Sequence, residues 1–430
     1  MTFRIIIKLR REQITIPYQD SAHLALTGLA AAAWQQLVAA FPDAALSLNR
    51  ILTDQSPEQL ENLLDLARSR SGQEPPDLFS LMAIDVEGLI DVQTLVTAVS
   101  ALPFVEFAYE ESPHTLAMVD PSDDPLAPSQ RYLGPAPFGI EALFAWSLPG
   151  ADGANVRFAD IEYGWQLNHE DLLGAAIVEL NQSVPGHEFH STACLGIVLA
   201  QDNNLGIIGA APSVQGAIIS ALSSSLPDAF LKAVGFLQAG DILLIEQQTG
   251  DLKPIEMDPH IAMLIQTLTL LGIVVIEPAG NGGHDLDLLL RPDGTSLDKA
   301  TFNFFDSRAI MVGARQALTR NRISFSCFGS RVDCHAWGEF IVTTSAPPSL
   351  YIGLNPLAGN AGFGGTSGAS AIIAGAAAIL QGIAKARETL LAPDRMRALL
   401  SDPTFNTLSN NPANDWIGVM PNLQEAVLRI

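Results

Sequence analysis

The stretch Asp241–Asn281, "DILLIEQQTGDLKPIEMDPHIAMLIQTLTLLGIVVIEPAGN", decides the fold. It opens on "DILLIEQ" and closes on "IVVIEPAGN", two short apolar runs that do not alternate with polar residues. A strand that alternates is wet on one face. A strand that does not is buried on both, as in a parallel sheet covered by helices. Between the two runs lies "HIAMLIQTLTLLG", long enough for a crossover helix. Its apolar extent, Ile261–Ile276, is too short and too interrupted to span a bilayer.

The same alternation extends outward. Strand "NVRFAD", a helix after "GHEFHST", strand "GAIIS", helix "PDAFLKAVGFL" and strand "AIMVGA" flank the opening stretch. The pattern predicts an α/β domain over residues 131–430, with a doubly wound, mostly parallel sheet flanked by helices. Its site belongs at the carboxyl ends of the strands. Residues 1–112 have another texture. Strands "FRIIIKL", "LFSLMAI" and "FVEFAYEE" are interleaved with helices in "SAHLALTGLAAAAWQQLVAAF", "SPEQLENLLDLARS" and "DVQTLVTAVSAL". They predict a smaller α+β sandwich with its helices on one face. Residues 113–130, "PHTLAMVDPSDDPLAPSQ", are rich in proline, aspartate and serine and read as a linker.

Composition narrows the function. Of 430 residues, 48% are apolar and 16% charged, which suits a large core and argues against disorder. The net charge of −23 disfavours nucleic acid and anionic membrane surfaces as partners. "MTFRIIIKLRREQ" has its apolar run before its basic residues and reads as a strand, not as a signal peptide. Cys194, Cys327 and Cys334 form no metal-binding pattern, so no metal site is read from them, and a reduced, cytoplasmic setting is expected.

Four polar residues stand where the site is expected. Asp160 ends "NVRFAD", His187 precedes the helix in "PGHEFHSTACLGIVLA", Asn281 ends "VVIEPAGN", and Ser367 opens "GGTSGASAIIAGAAAIL" (Gly364–Leu380). The last run is small and apolar on every face, so it reads as a buried helix whose first turn carries unpaired N–H groups. Ser367 there is either an N-cap or a nucleophile. Each of the other three also has a dull explanation in a turn, a cap or a surface side chain. Together, an acid, a histidine, an amide and a serine are the parts for acyl transfer: orienter, base, oxyanion donor and nucleophile.

These residues resemble the subtilisin-like serine proteases, the subtilases, in the order Asp, His, Ser. "GGTSGASAIIAG" is similar to the family's nucleophile segment, "GHEFHSTACLGIVLA" to its histidine helix and "PAGNGG" to its oxyanion segment. "DSRAIMVGA" and "RISFSCFGSRVDCHAWG" look like the next strand and the loop beyond it. The resemblance implies a subtilisin-like fold and a serine endopeptidase acting on protein or peptide, with Ser367 as nucleophile, His187 as base, Asp160 orienting it and Asn281 in the oxyanion hole. It also implies that the first domain is an inhibitory propeptide, with a permanently attached regulatory or docking domain as the other reading.

Departures from the family pattern are informative. Ile161 and Glu162 follow the acid where a hydroxyl residue and a glycine are usual, leaving Glu162 to face solvent, a basic substrate residue or the acid itself. "IEQQTG" replaces the family's Ser-Leu-Gly-Gly cleft strand, so Glu246, Gln247, Gln248, Thr249 and Gly250 are expected to line the substrate site, and Glu246 either favours a basic residue or is structural. His169, Asp171 and His190 read as structural. His284, Asp285 and Asp287 form an acidic loop in which calcium is possible, with a solvated loop as the default. An active intracellular endopeptidase that makes limited, specific cuts, a latent peptide-binding relative, and a peptide ligase or macrocyclase using the same acyl-enzyme all remain open.

Overall fold

The computed structural model describes residues 2–10, 16–53, 56–88, 90–111, 119–353 and 362–430. The chain divides into two compact units, Met1–Thr115 and Leu116–Ile430.

In the first unit, β1 (Thr2–Leu9), α1 (Gly28–Ala40), β2 (Ala44–Arg50), α2 (Pro57–Ser71), β3 (Leu81–Gly88), α3 (Val92–Ser100) and β4 (Val105–Glu110) follow one another. The strands form an antiparallel sheet in the order β2-β3-β1-β4. Ile5, Ile7, Leu48, Met82, Ile84 and Val86 cluster with Trp34 and Leu37 of α1 and Leu95 and Val99 of α3. Strand β2, "AALSLNR", is absent from the sequence reading. Only Leu48 of it is fully buried, so it shows little of the apolar run by which the other strands were found.

The second unit continues with α4 (Ala142–Ala145), β5 (Arg157–Glu162), β6 (Ile177–Glu179), α5 (Glu188–Leu199), β7 (Gln215–Ser220), α6 (Leu226–Phe236), β8 (Ile242–Ile245), α7 (Pro259–Leu270) and β9 (Val274–Pro278). Then come β10 (Ile310–Arg315), β11 (Cys334–Trp337), β12 (Thr343–Thr344), β13 (Tyr351–Ile352), α8 (Gly365–Ala386), α9 (Pro393–Ser401), β14 (Thr407–Leu408), β15 (Val419–Met420) and α10 (Leu423–Ala426). Among the described residues, nine strands form one sheet in the order β14-β15-β11-β10-β9-β8-β5-β7-β6. All neighbours run parallel except β14 and β15. Strand β11 lies in the segment read as a loop; its four residues "CHAW" are all buried.

The sheet separates two cores. Ala159, Ile161, Leu243 and Ile245 pack with α6 and α7. Phe158, Ile242 and Leu244 pack with α5 and α8. Side chains alternate along a strand, so Asp160, Glu162 and Glu246 share the α5/α8 side. The order reverses beside β5, where β7 and β8 flank it, and Ile161 pairs with Ile245. The ends of β5 and β8 therefore meet at the switch point, where α/β sheets place their ligands.

Helix α8 is long and apolar enough to cross a membrane, but its most apolar window is wholly buried inside the unit. Each fully buried isoleucine or leucine on it contributes about 1.5–3 kcal/mol. The expected linker behaves differently. Residues 112–118 lie outside the described residues, whereas 119–130 are built into the second unit: Asp124 and Gln130 are buried, and Gln130 Nε2 donates to Tyr132 Oη and Ile208 O.

Candidate active site

A cleft of about 470 Å³ opens at the switch point, lined by Glu162, Tyr163, His187, His190, Ser191, Glu246, Gln247, Gln248, Asn281 and Ser367 among others. Five structural elements converge here: the ends of β5, β8 and β9, and the first turns of α5 and α8.

Ser367 is the third residue of α8 and 9% exposed. The helix starts at Gly365, whose φ of +80° is open to glycine and strained for other residues. Asn281 Oδ1 accepts from Thr366 N at 3.0 Å and from Thr366 Oγ1 at 3.1 Å. The bond from Thr366 N, which can only donate, fixes which end of the amide is oxygen and leaves Nδ2 to donate elsewhere. Gln248 Oε1 accepts from Asn281 N at 3.0 Å and holds the loop from the other side.

The expected pairing of Asp160 with His187 is not formed. Asp160 is fully buried and Trp165 Nε1 donates to its Oδ2 at 2.9 Å, while Oδ1 has no partner. Burial above all, then the charges of Glu162 and Glu246, hold the Asp160 carboxyl well above the usual carboxylate range, against the Trp165 hydrogen bond. His187 lies at the N-cap of α5, exposed on the rim, with its ring edge-on to Tyr163 at 5.6 Å.

The acid and histidine that meet are Glu162 and His190. His190 Nδ1 is 2.6 Å from Glu162 Oε2, which also accepts from Ser191 Oγ at 2.8 Å. Glu162 does not face solvent or substrate; it is 3% exposed. The His190 ring stands edge-on to Phe363 at 5.3 Å, and Cys194 Sγ packs 3.9 Å from Nδ1. Burial works to lower the His190 pKa, but the charge and hydrogen bond of Glu162, with the charge of Glu246, outweigh it and push it up to about 9. No hydrogen bond joins His190 to Ser367 among the described residues; such bonds commonly tighten only around substrate.

Glu246 is nearly buried and bonded within the protein, so it is not poised to select a basic substrate residue. Its Oε1 lies 2.5 Å from Ser370 Oγ. Gln247 Oε1 accepts from Tyr163 Oη at 2.9 Å. Thr249 and Gly250 do not line the cleft: Thr249 N donates to Lys253 O and closes a turn beyond it.

The Asp285–Asp287 loop is occupied by its own hydrogen bonds. Asp287 accepts from Ser330 N and Oγ, and His284 Nε2 bonds Asp251 O. A better cation cradle is formed by Asp123, Asp124 and Asp202, with one ligand atom from each within 4.8 Å of the others. Asp124 is buried, its Oδ2 has no partner, and burial with the Asp202 and Asp123 charges pushes its pKa up to about 6. Oxygen donors of that kind fit a hard divalent ion.

His190 was read as structural because it is the second histidine of "HEFH", one turn inside the helix. The run Ser191-Thr192-Ala193 marks where α5 becomes buried, and His187 precedes that point.

The Subtilase family model matches residues 175–415, more than half of the chain. It begins beyond both Asp160 and Glu162. Subtilisin DY of Bacillus licheniformis is 29% identical over 255 residues, 57% of this chain and 84% of that one. Thermitase of Thermoactinomyces vulgaris is 28% identical over 267 residues, 60% of this chain and 84% of that one. The fold is similar to that of the prenylagaramide maturation protease PagA, with a TM-score of 0.50 at 18% identity, covering 67% of this chain and 97% of that one. It is also similar to a protease of Pseudoalteromonas arctica, with a TM-score of 0.52 at 18% identity over 72% and 99% of the two chains. The chain belongs to the subtilase family and is a serine-type endopeptidase.

Proposed function

We propose that this endopeptidase works through an acyl-enzyme on Ser367, with His190 as base, Glu162 orienting it and Asn281 in the oxyanion hole. The contact of His190 Nδ1 with Glu162 Oε2 carries the reading. It commits Nδ1 to the carboxylate and leaves Nε2 to take the Ser367 proton. Ser367 Oγ attacks the peptide carbonyl, and the oxyanion is received by Asn281 Nδ2 and the Ser367 N–H at the start of α8. His190 then returns the proton to the leaving amine. Water repeats the sequence and frees the serine.

The same cleft supports limited rather than bulk proteolysis. Gln247 and Gln248 are tied to Tyr163 and Asn281, so long side chains wall the cleft. The first unit has the size, position and strand–helix order of an inhibitory propeptide. Its last strand, β4, is a sheet edge with Phe107 and Tyr109 exposed, and self-cleavage would fall between Ser112 and Gln130. Calcium at Asp123, Asp124 and Asp202 would neutralise clustered carboxylates and stiffen their loops.

Peptide mixtures digested by wild type and by Ser367→Ala, read by mass spectrometry, test the reading. A few defined cuts by the wild type alone are expected, with intact mass reporting loss of the first unit. Equal products from both proteins, or rapid degradation of unfolded casein to small peptides, would contradict it.

A further inference from the structure

Ser370 Oγ has three oxygen neighbours: Glu246 Oε1 at 2.5 Å, Thr366 O at 2.8 Å and Ser367 O at 2.9 Å. A hydroxyl brings one hydrogen, and carbonyl oxygens bring none. If Ser370 gives its hydrogen to the carbonyls of its own helix, the contact with Glu246 needs a hydrogen from the carboxyl. The second Glu246 oxygen, Oε2, is buried without a hydrogen-bond partner among the described residues, and the Ser367 hydroxyl lies beside the carboxyl.

We propose that Glu246 is a positioning residue of this site that works only while protonated, its hydrogen held by Ser370 and its free oxygen set against the nucleophile Ser367. The proposal rests on Ser367 and His190 acting as nucleophile and base. Neutral Glu246 ties the first turn of α8, which carries Ser367 and the oxyanion N–H, to the end of β8. Ionised, it would place a charge beside the oxyanion that forms during attack, and would hold the serine hydrogen away from His190.

The ionisable groups facing Glu246 are Glu162 and Asp160 from β5, and His190 and Cys194 from α5; α8 faces it with Ser367 and Ser370. Burial, then the Glu162 charge, push the Glu246 pKa up to about 8, against His190 and the two serines. Glu246 and His190 thus compete for one proton over the same pH range, and the working form is the one with Glu246 protonated and His190 neutral.

The test is the rate at which a fluorophosphonate labels Ser367 between pH 6 and 10, in wild type and Glu246→Gln. The wild-type rate is expected to rise and then fall as Glu246 ionises. The amide cannot ionise, so the variant is expected to climb to a plateau and to label at least tenfold faster than wild type at pH 10. Superimposable profiles, or a folded variant at least tenfold slower at every pH, overturn the role of Glu246. No label on wild-type Ser367 at any pH removes the nucleophile and the proposal with it. If glutamine at 246 prevents folding, the wild type alone decides. Its labelling rate must fall in step with loss of an infrared carboxylic-acid band, and a rate still climbing at pH 10 overturns the proposal.

Discussion

Asp160 and Glu162 stand two positions apart on β5, so both side chains leave the same face of the sheet. They differ in depth. Asp160 is inside the strand, capped by Trp165, and Glu162 is the last residue, where the switch point opens. Depth separates their chemistry: burial pushes the Asp160 carboxyl up, while Glu162 reaches His190. In the unfolded chain Asp160 ionises near its ordinary value, but in the fold it stays protonated to far higher pH. The native state therefore loses stability as pH climbs through the range between the two. Asp160→Asn keeps an acceptor for Trp165 and removes that loss, so its Tm advantage over wild type is expected to widen from pH 4 to pH 8 in a thermal melt. A wild-type advantage that grows over that range would show that Asp160 is ionised. The depth of each carboxylate was hard to read in the sequence, because "ADIE" offers two of them without saying where the strand stops.

Helix α5 approaches the second unit's core closely enough that small residues are required of it. A Cβ on Gly196 would lie 2.1 Å from Thr344 Oγ1 and 3.0 Å from Thr343 Oγ1. Those hydroxyls donate to the backbone of the helix: Thr344 Oγ1 to Thr192 O and Thr343 Oγ1 to Ala193 O, both at 2.7 Å. Gly196→Ala is expected to cost about 1–3 kcal/mol through overpacking, seen as a lower midpoint in urea. Because His190 rides on the same helix, the variant's activity is expected to fall at temperatures where it remains folded. An unchanged midpoint would mean that α5 moves freely. At this scale the sequence was most legible: the unalternating strands and the small-residue helix α8 were readable because burial on all sides leaves a compositional trace. The short strands β14 and β15, two residues each, leave none.

Among the described residues, charge gathers away from the cleft in a buried network and in a mostly exposed acidic group. Glu256 is paired with Arg291 and Arg331, and Asp333 with Arg331, Lys299 and Arg397. The charges of its cationic neighbours, against burial, hold Glu256 down at about 2. Each of these two acids is paired with cations. The Asp123, Asp124 and Asp202 group is not, since all three are acids and Asp124 Oδ2 has no partner. Millimolar calcium is therefore expected to raise the Tm of the chelator-treated protein, with Asp124→Asn reducing the gain; equal melting with calcium and with chelator would contradict a cation there. The two-domain α/β architecture followed from texture alone, but the role of residues 119–130 did not. Proline and aspartate mark irregular backbone, which is equally at home in a linker and in a buried, hydrogen-bonded loop.

The measurement that bears most directly on the account is the rate of Ser367 labelling by a fluorophosphonate at pH 8 in four single variants: Glu162→Gln, His190→Ala, Asp160→Asn and His187→Ala. If Glu162 and His190 are the working pair, the first two fall by roughly a hundredfold or more, and the other two stay within about threefold of wild type. Loss of labelling in Asp160→Asn and His187→Ala, with Glu162→Gln and His190→Ala still reactive, would contradict it.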